Sequence, residues 1–226
     1  MSSPTFIRAL SAAAGACLAL LACVSPAAGA GEATSEQRKP LYWPEQNRPK
    51  LEYRTVERFF DNYPVRIGML SGSGFDLVTG IENSWEPLVA TPARFSIAFR
   101  YRSAPDLAFA ATVFTPEEFM KDLSVATWGR YVDGLRETCG ADFRLLTEKS
   151  SVEDPDAGAT VLDTPTREIT FVRKASATGV IAEANVFLLK KGKLLAFTLI
   201  GPEKLVAAHV EEFRLMLVQF GEQTSH

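Results

Sequence analysis

The large apolar residues of this 226-residue chain recur at two different spacings, and each spacing predicts one kind of element. Between residues 94 and 101 they occupy every second position, which is typical of a β-strand. The face predicted to be buried consists of Phe95, Ile97, Phe99 and Tyr101. The opposite face consists of Arg94, Ser96, Ala98 and Arg100. We expect this second face to be partly wet, as in an antiparallel sheet with one covered side.

Other segments have the same strand character. Residues 107–114 follow the turn-forming stretch 103–106, which predicts a hairpin. Residues 65–70 and 75–79 flank the sequence Ser-Gly-Ser-Gly at 71–74 and predict another hairpin. A phosphate-binding loop would need a lysine and a following helix there, so the turn is the better interpretation. Later strands are expected at residues 143–148, 167–173, 180–189 and 193–200.

A spacing of three to four residues begins near Thr115 and predicts a helix. The sequence Thr-Pro-Glu-Glu at 115–118 offers a capping hydroxyl, a proline at the first helical position and a glutamate that can reach back to the cap amide. The helix is expected to continue to about Thr138 and to end at Gly140. Its buried stripe is predicted to contain Phe119, Leu123, Thr127, Tyr131 and Leu135, widened by Met120, Trp128 and Val132.

A last helix is expected after the sequence Gly-Pro-Glu at 201–203 and before Gly221. Its predicted buried stripe contains Val206, Val210, Phe213, Leu217 and Phe220. The order of elements is therefore strands, helix, strands, helix. Strands joined by hairpins form antiparallel sheets, so the predicted fold class is α+β, with two main helices packed on an antiparallel sheet.

Two units of this pattern carry a resemblance to a known family. One is the hairpin at 95–114 that leads into the capped helix at 115–118, and the other is the segment 180–200 followed by the final helix, with Trp85 shortly before the central strands. Over residues 63–220 this order resembles the PsbP-like family, which includes bacterial lipoproteins of the DcrB type. The resemblance implies an α/β/α sandwich and a non-enzymatic envelope or lumenal protein that binds or supports other proteins. It transfers no functional residue to this chain.

The first thirty residues have the pattern of a secretory signal peptide. Arg8 precedes an apolar run over residues 9–24, and the sequence Ala-Gly-Ala ending at Ala30 places small residues where signal peptidase cleaves. The run is shorter than the roughly 20 residues that span a bilayer. The predicted organisation is a signal peptide at 1–30, a flexible linker at 31–50, a single α+β domain at 51–221 and a disordered tail at 222–226.

A lipoprotein signal competes with cleavage after Ala30. The sequence Leu-Leu-Ala-Cys ending at Cys23 is similar to a bacterial lipobox, in which the cysteine is acylated and becomes the first mature residue. The polar stretch that follows has the composition of a tether. Either processing route predicts a periplasmic or secreted protein, which would be held at a membrane only if Cys23 is acylated.

Composition removes several function classes. The formal net charge is −3, and loss of Arg8 with the leader makes it one unit more negative, so we expect no general attraction to nucleic acid. The short basic runs near Arg173 and Lys190 are interpreted as solvated turns. After cleavage at Ala30, Cys139 would be the single cysteine, without a disulfide partner, and it is expected to be a small buried residue.

The candidate catalytic groups are sparse. His209 and Glu212 lie three positions apart on the last predicted helix and could form an acid/base or metal pair, but a boundary histidine beside the core is the preferred interpretation. The acidic loop at 153–156 lacks the ligand spacing of a calcium site and is interpreted as a solvated turn. We therefore expect no cofactor, no metal and no catalytic residue.

The function expected from these observations is binding. The primary hypothesis is an exported, non-enzymatic domain that binds an envelope protein or an apolar ligand. Tyr42 and Trp43 lie in the predicted linker, where they could contact a partner or dock on their own domain. Two alternatives stay open: a secreted hydrolase that uses carboxylates such as Glu117, Glu118 and Asp122, and a purely structural tethered module.

Overall fold

The computed structural model describes residues 48–72, 75–79, 84–114, 122–152, 164–177, 179–190, 192–218 and 221–222. Two helices lie in these ranges, α1 (Val125–Cys139) and α2 (Glu203–Val218). The first six strands are β1 (Glu52–Phe60), β2 (Tyr63–Gly72), β3 (Phe75–Thr79), β4 (Trp85–Pro87), β5 (Ile97–Tyr101) and β6 (Ala104–Val113). The others are β7 (Arg144–Ser150), β8 (Thr166–Ser176), β9 (Gly179–Lys190), β10 (Lys193–Pro202) and β11 (Gly221–Glu222).

The strands form two antiparallel sheets. The larger sheet has seven strands in the order β4-β5-β6-β10-β9-β8-β7, and the smaller sheet has four in the order β1-β2-β3-β11. Hairpins connect β5 to β6, β8 to β9, and β9 to β10, so neighbours in sequence are neighbours in the sheet. The predicted α+β class and its antiparallel sheet are thus confirmed, and so is the hairpin formed by β2 and β3.

Each face of the larger sheet is covered by one helix. On one face, Val206, Phe213 and Leu217 of α2 pack in the same cluster as Phe109 and Phe197 of the central strands. On the other face, the cluster that contains α1 consists of Trp128, Tyr131, Val132 and Leu135 with Phe171, Phe187 and Ala196 among its sheet residues. Alternate residues of a strand point to opposite faces, so the central strands contribute to both clusters. The arrangement is the predicted sandwich of helix, sheet and helix.

Coverage on both sides corrects most of the expectation of a wet face between residues 94 and 101, of which only Arg100 is exposed as predicted. Arg94, Ser96 and Ala98 are buried, and Phe95 packs in the α1 cluster instead of joining Ile97 and Phe99 on the α2 side. Within β5 the alternation holds, but Ile97 and Phe99 pack in one core and Ala98 packs in the other. Where helical layers cover a strand from both sides, neither face reaches solvent, and the pattern of a single strand does not reveal this second layer.

The first helix also differs from its prediction. Asp122, Leu123 and Ser124 are not helical, so one continuous helix from Thr115 to Thr138 is wrong; Thr115 itself lies outside the described residues. Ser124 is the residue before the first turn of α1, and its hydroxyl accepts a hydrogen bond from the Thr127 amide at 3.3 Å. Leu123 is buried as expected, although it precedes the helix instead of belonging to its stripe.

The end of α1 and the start of α2 agree with the sequence. Gly140 follows the last turn of α1 with φ +57°, a backbone angle that glycine adopts without a steric cost. Helix α2 begins at Glu203, directly after Pro202, and ends at Val218. In the described ranges no helix has both the length and the apolar character needed to cross a bilayer.

Candidate functional site

Most of the residues singled out in the sequence fall outside the part of the chain that the structure describes. They are Cys23, Ala30, Tyr42, Trp43, Glu117, Glu118, and the acidic loop residues Glu153, Asp154 and Asp156. The roles assigned to them stay predictions. Arg48, near the end of the predicted linker, is described and is buried, with its guanidinium carbon 4.8 Å from the centre of the Phe114 ring.

The pair formed by His209 and Glu212 has the geometry of a helix surface contact. The Nδ1 atom of His209 lies 2.8 Å from a carboxylate oxygen of Glu212, which is largely exposed. The imidazole ring also packs against Tyr101, with 5.0 Å between ring centres. This is the boundary histidine that the sequence favoured. Within the described ranges, no three His, Cys, Asp or Glu side chains are close enough together to hold a metal ion.

Asp122, a candidate acid in the hydrolase alternative, takes part in the start of α1. Its carboxylate accepts a hydrogen bond from the Ser124 amide at 2.9 Å. Hydrogen bonding from Ser124 lowers the pKa of Asp122, although partial burial opposes this change. The Asp122 carboxylate is therefore ionised and belongs to the helix cap, where it does not act as a proton donor.

A buried ionic cluster on the α1 side of the large sheet was not predicted. Glu183 of β9 is 1% exposed, and Arg94 and Arg173 each place a guanidinium nitrogen 2.9 Å from the same carboxylate oxygen, Oε2. Burial alone would raise the pKa of Glu183, but the two positive charges and the hydrogen bonds outweigh it, and the pKa lies below its usual value. The interpretation of Arg173 as part of a solvated turn is corrected, since it pairs with a buried acid.

Neutral groups complete the cluster. The amide nitrogen of Asn185 donates to Oε1 of Glu183 at 3.0 Å and to the Tyr131 hydroxyl at 3.1 Å, while Thr198 donates to the Asn185 oxygen at 2.6 Å. Burial, helped by the charge of Glu183, raises the pKa of Tyr131 well above its usual value, so this hydroxyl stays protonated. The cluster contains no activated nucleophile and is suited to fixing α1 on the sheet.

Cys139 lies at the end of α1, close to this cluster. It is half-buried, and burial raises the pKa of its thiol even though the charge of Arg173 opposes the change. A raised pKa leaves the thiol protonated at neutral pH, and the thiol is a much weaker nucleophile than the thiolate. The prediction of a small packed residue therefore holds in part, with more exposure than expected.

The surface that stands out for binding is a hairpin arm, defined as residues 56–67 of β1 and β2. Strand β3 pairs only with Gly68–Gly72 of β2, so the arm is a two-stranded ribbon whose strands bond to each other and to no other described strand. At about 3.3 Å per residue, five residues extend the ribbon roughly 16 Å beyond the sheet. No arm residue whose burial is described belongs to either core cluster.

The end of the arm exposes two aromatic side chains. Phe59 is 71% exposed and Tyr63 is 75% exposed. Between them, Asp61 and Asn62 both have positive φ angles, +48° and +69°, which defines the type I′ turn typical of a two-residue hairpin loop. Phe59 pairs with Pro64, and Tyr63 belongs to the next pair of the ladder, so the two rings point to opposite faces of the ribbon.

Little in the pattern of residues predicts this arm. Residues 65–70 were predicted to form a strand, but β1 was missed, because its mixture of charged and aromatic residues has no clear alternation. The available signal was Asp61-Asn62, a pair that favours the type I′ turn, between two segments with aromatic and β-branched residues.

Comparison with known proteins concerns the fold alone. No protein-family model matches the chain, and no curated protein matches its sequence. The similar solved structures include the cyanobacterial PsbP of Synechocystis sp. PCC 6803, with 15% identity and a TM-score of 0.46 over 76% of this chain and 92% of that one. A PsbP is thus among the solved structures similar to this chain, and it represents the family that the order of elements in the sequence resembles.

Two further solved structures are similar at lower identity. LpqN of Mycobacterium tuberculosis, a protein involved in cell envelope biogenesis, has 9% identity and a TM-score of 0.40 over 77% of this chain and 92% of its own. The Ran-binding protein Mog1p of Saccharomyces cerevisiae has 11% identity and a TM-score of 0.41 over 75% and 95% of the two chains. These scores are too low to transfer a partner or an activity.

Proposed function

We propose that this protein is an exported, non-catalytic binding module that engages a partner protein with the tip of its hairpin arm. The observation that carries the proposal is the exposure of Phe59 and Tyr63 at the end of a ribbon that extends away from both cores. Aromatic side chains are enriched at protein interfaces, where burying them contributes much of the binding energy. A fold that keeps two of them in water at a projecting tip is suited to a protein contact.

The geometry also indicates the shape of the partner surface. Because the two rings point to opposite faces of the ribbon, a flat surface could cover only one of them. A cleft that encloses the tip would bury both. A bilayer is a less suitable target, because Asp61 occupies the turn between the rings and a charged group is costly in hydrocarbon.

The role of the tip in partner binding can be tested with two substitutions. Phe59→Ala and Tyr63→Ala are each expected to weaken binding at least tenfold, because a buried aromatic anchor contributes about 2 kcal/mol or more. A photo-crosslinking residue at position 59 would identify the partner in envelope extract, and titration with the purified partner would give the change in affinity. Unfolding midpoints should stay close to the parent, since both side chains are exposed.

Leu215→Ala is the matched control, because Leu215 is an apolar residue of α2 with 66% exposure, close to that of Phe59. This variant should bind the partner with unchanged affinity. Equal binding by the parent and by both tip variants would overturn the proposal, and so would a loss of affinity of the same size in Leu215→Ala.

Export is supported by the signal pattern that ends at Ala30 and is tested separately. Intact-mass analysis of the protein isolated from its own host is expected to show Gly31 as the first residue, or an acylated Cys23 in the alternative processing route. The discriminating measurement is the mass of the N-terminal fragment. A pool that retains Met1 would contradict export.

A further inference from the structure

The tip of the hairpin arm carries a single charge. Among residues 59–64, which form the turn and the strand ends beside it, Asp61 is the one residue with a charged side chain. This side chain is exposed, and within the described ranges no group forms an ion pair or a hydrogen bond with its carboxylate. Glu86 and Glu168 of the larger sheet, by contrast, are paired with arginines. The negative charge of Asp61 is therefore available to a partner.

The turn places this carboxylate ahead of both aromatic rings. Phe59 lies two positions before Asp61 and Tyr63 lies two positions after it, on opposite faces of the ribbon. A cleft that receives the ribbon end-on meets the turn first. It can enclose both rings only if Asp61 enters roughly 3 Å deeper than they do. The binding mode proposed above thus takes Asp61 out of water together with the rings.

Removal from water is costly for a carboxylate that has no partner. Apolar walls do not replace its hydration, and this loss would cancel much of the free energy that the two buried rings contribute. A positive charge within hydrogen-bond distance offsets the cost, because a charge-assisted hydrogen bond replaces the lost contacts with water. A lysine or arginine side chain meets this requirement, and both can also contact the face of an aromatic ring.

From the position of this charge between two exposed rings, we infer that the partner is a protein whose cleft has apolar walls and a basic side chain at its floor, which pairs with Asp61. The inference rests on the proposed function, since it describes the surface that the arm tip contacts. It adds the chemistry of that surface. The rings supply affinity, and the charge pair selects this cleft over one that is apolar throughout or has an acid at its floor.

The experiment uses the full chain with a photo-crosslinking phenylalanine analogue at position 59, and the probe is the solubilised envelope protein of the host. The measured quantity is the chain concentration that gives half of the maximal yield of the dominant crosslinked product. Asp61→Asn removes the charge and keeps a residue type that tolerates a positive φ angle, so the hairpin should stay folded. The half-maximal concentration should rise at least tenfold.

Salt concentration separates the effect of the charge from any other effect of the substitution. Between about 50 and 500 mM sodium chloride, the half-maximal concentration of the parent should rise, and that of Asp61→Asn should rise less steeply. Asp106→Asn is the matched control, because it makes the same chemical change at an exposed position of β6. It should behave like the parent in both measurements.

Tyr63→Ala distinguishes this inference from the proposed function. If Tyr63→Ala leaves crosslinking unchanged, the tip is not the contact surface and both fail. If Tyr63→Ala weakens crosslinking but Asp61→Asn binds like the parent, or keeps the salt dependence of the parent, the basic cleft alone is wrong. An equal weakening by Asp106→Asn would also overturn the inference, because the effect would then follow the net charge of the chain and not the position of Asp61.

Discussion

Replacing Glu183 by glutamine is expected to lower the free energy of unfolding by about 3–5 kcal/mol, the usual cost of breaking a buried ion pair from one side. Arg94 and Arg173 share one oxygen of this carboxylate, and Arg94 is itself buried. An amide cannot offset two positive charges, and its NH₂ group would add a donor where donors already converge. Chemical denaturation at neutral pH measures the difference.

The same variant should alter the pH dependence of stability. The pKa of Glu183 lies below its usual value in the folded protein, so the stabilisation is complete above the unfolded-state pKa and is lost as the pH falls through the folded-state pKa. The parent should therefore lose stability in acid, starting near pH 4, more steeply than Glu183→Gln does.

Asp133→Asn provides the control for charge removal. Asp133 pairs with Arg136 at 2.8 Å on the exposed side of α1, where both side chains are more than half exposed. Solvent screening makes such pairs weak, so the variant should lose less than about 1 kcal/mol. A Glu183→Gln variant as stable as Asp133→Asn would contradict a structural role for the buried cluster.

The second large effect is expected in the core between the sheet and α2. Phe109→Ala should cost about 3–5 kcal/mol, because it leaves a cavity among aromatic rings that cannot close around it. The ring of Phe109 is fully buried, and its centre lies between 5.6 and 6.3 Å from the ring centres of Phe99, Trp85, Phe213 and Phe197. The measurement is the denaturant concentration at the midpoint of unfolding, with parent and variant fitted to the same dependence of the unfolding free energy on denaturant concentration.

Phe59→Ala makes the same chemical change at the exposed tip and should alter stability by less than about 0.5 kcal/mol. The difference in the free energy of unfolding between the two variants reports the effect of burial, because both replace phenylalanine by alanine. If Phe109→Ala and Phe59→Ala had the same unfolding midpoint, this result would contradict the burial of Phe109 in the core between the sheet and α2.

The sequence alone determined the elements whose apolar residues repeat without interruption. The segments 167–173, 180–189 and 193–200 became β8, β9 and β10, each extended by one or more residues, and the last helix began at the expected Pro-Glu step. Local periodicity is sufficient there because each element buries residues at its own regular spacing. The hairpins between these strands followed from their short connections, and with them the antiparallel sheet.

Tertiary structure decided which faces are covered and which polar residues meet. Arg94 and Glu183 are 89 positions apart, so no local pattern joins them. They come together because Glu183 lies on β9, which packs under α1. Arg94 precedes β5, a strand that both helical layers cover. The hairpin arm is the opposite case: its residues have strand character, but only the end of the pairing with β3 at Gly68 leaves the rest of the ribbon in solvent. Periodicity reports the spacing of apolar residues within one element, whereas burial and ion pairing depend on which other elements pack against it.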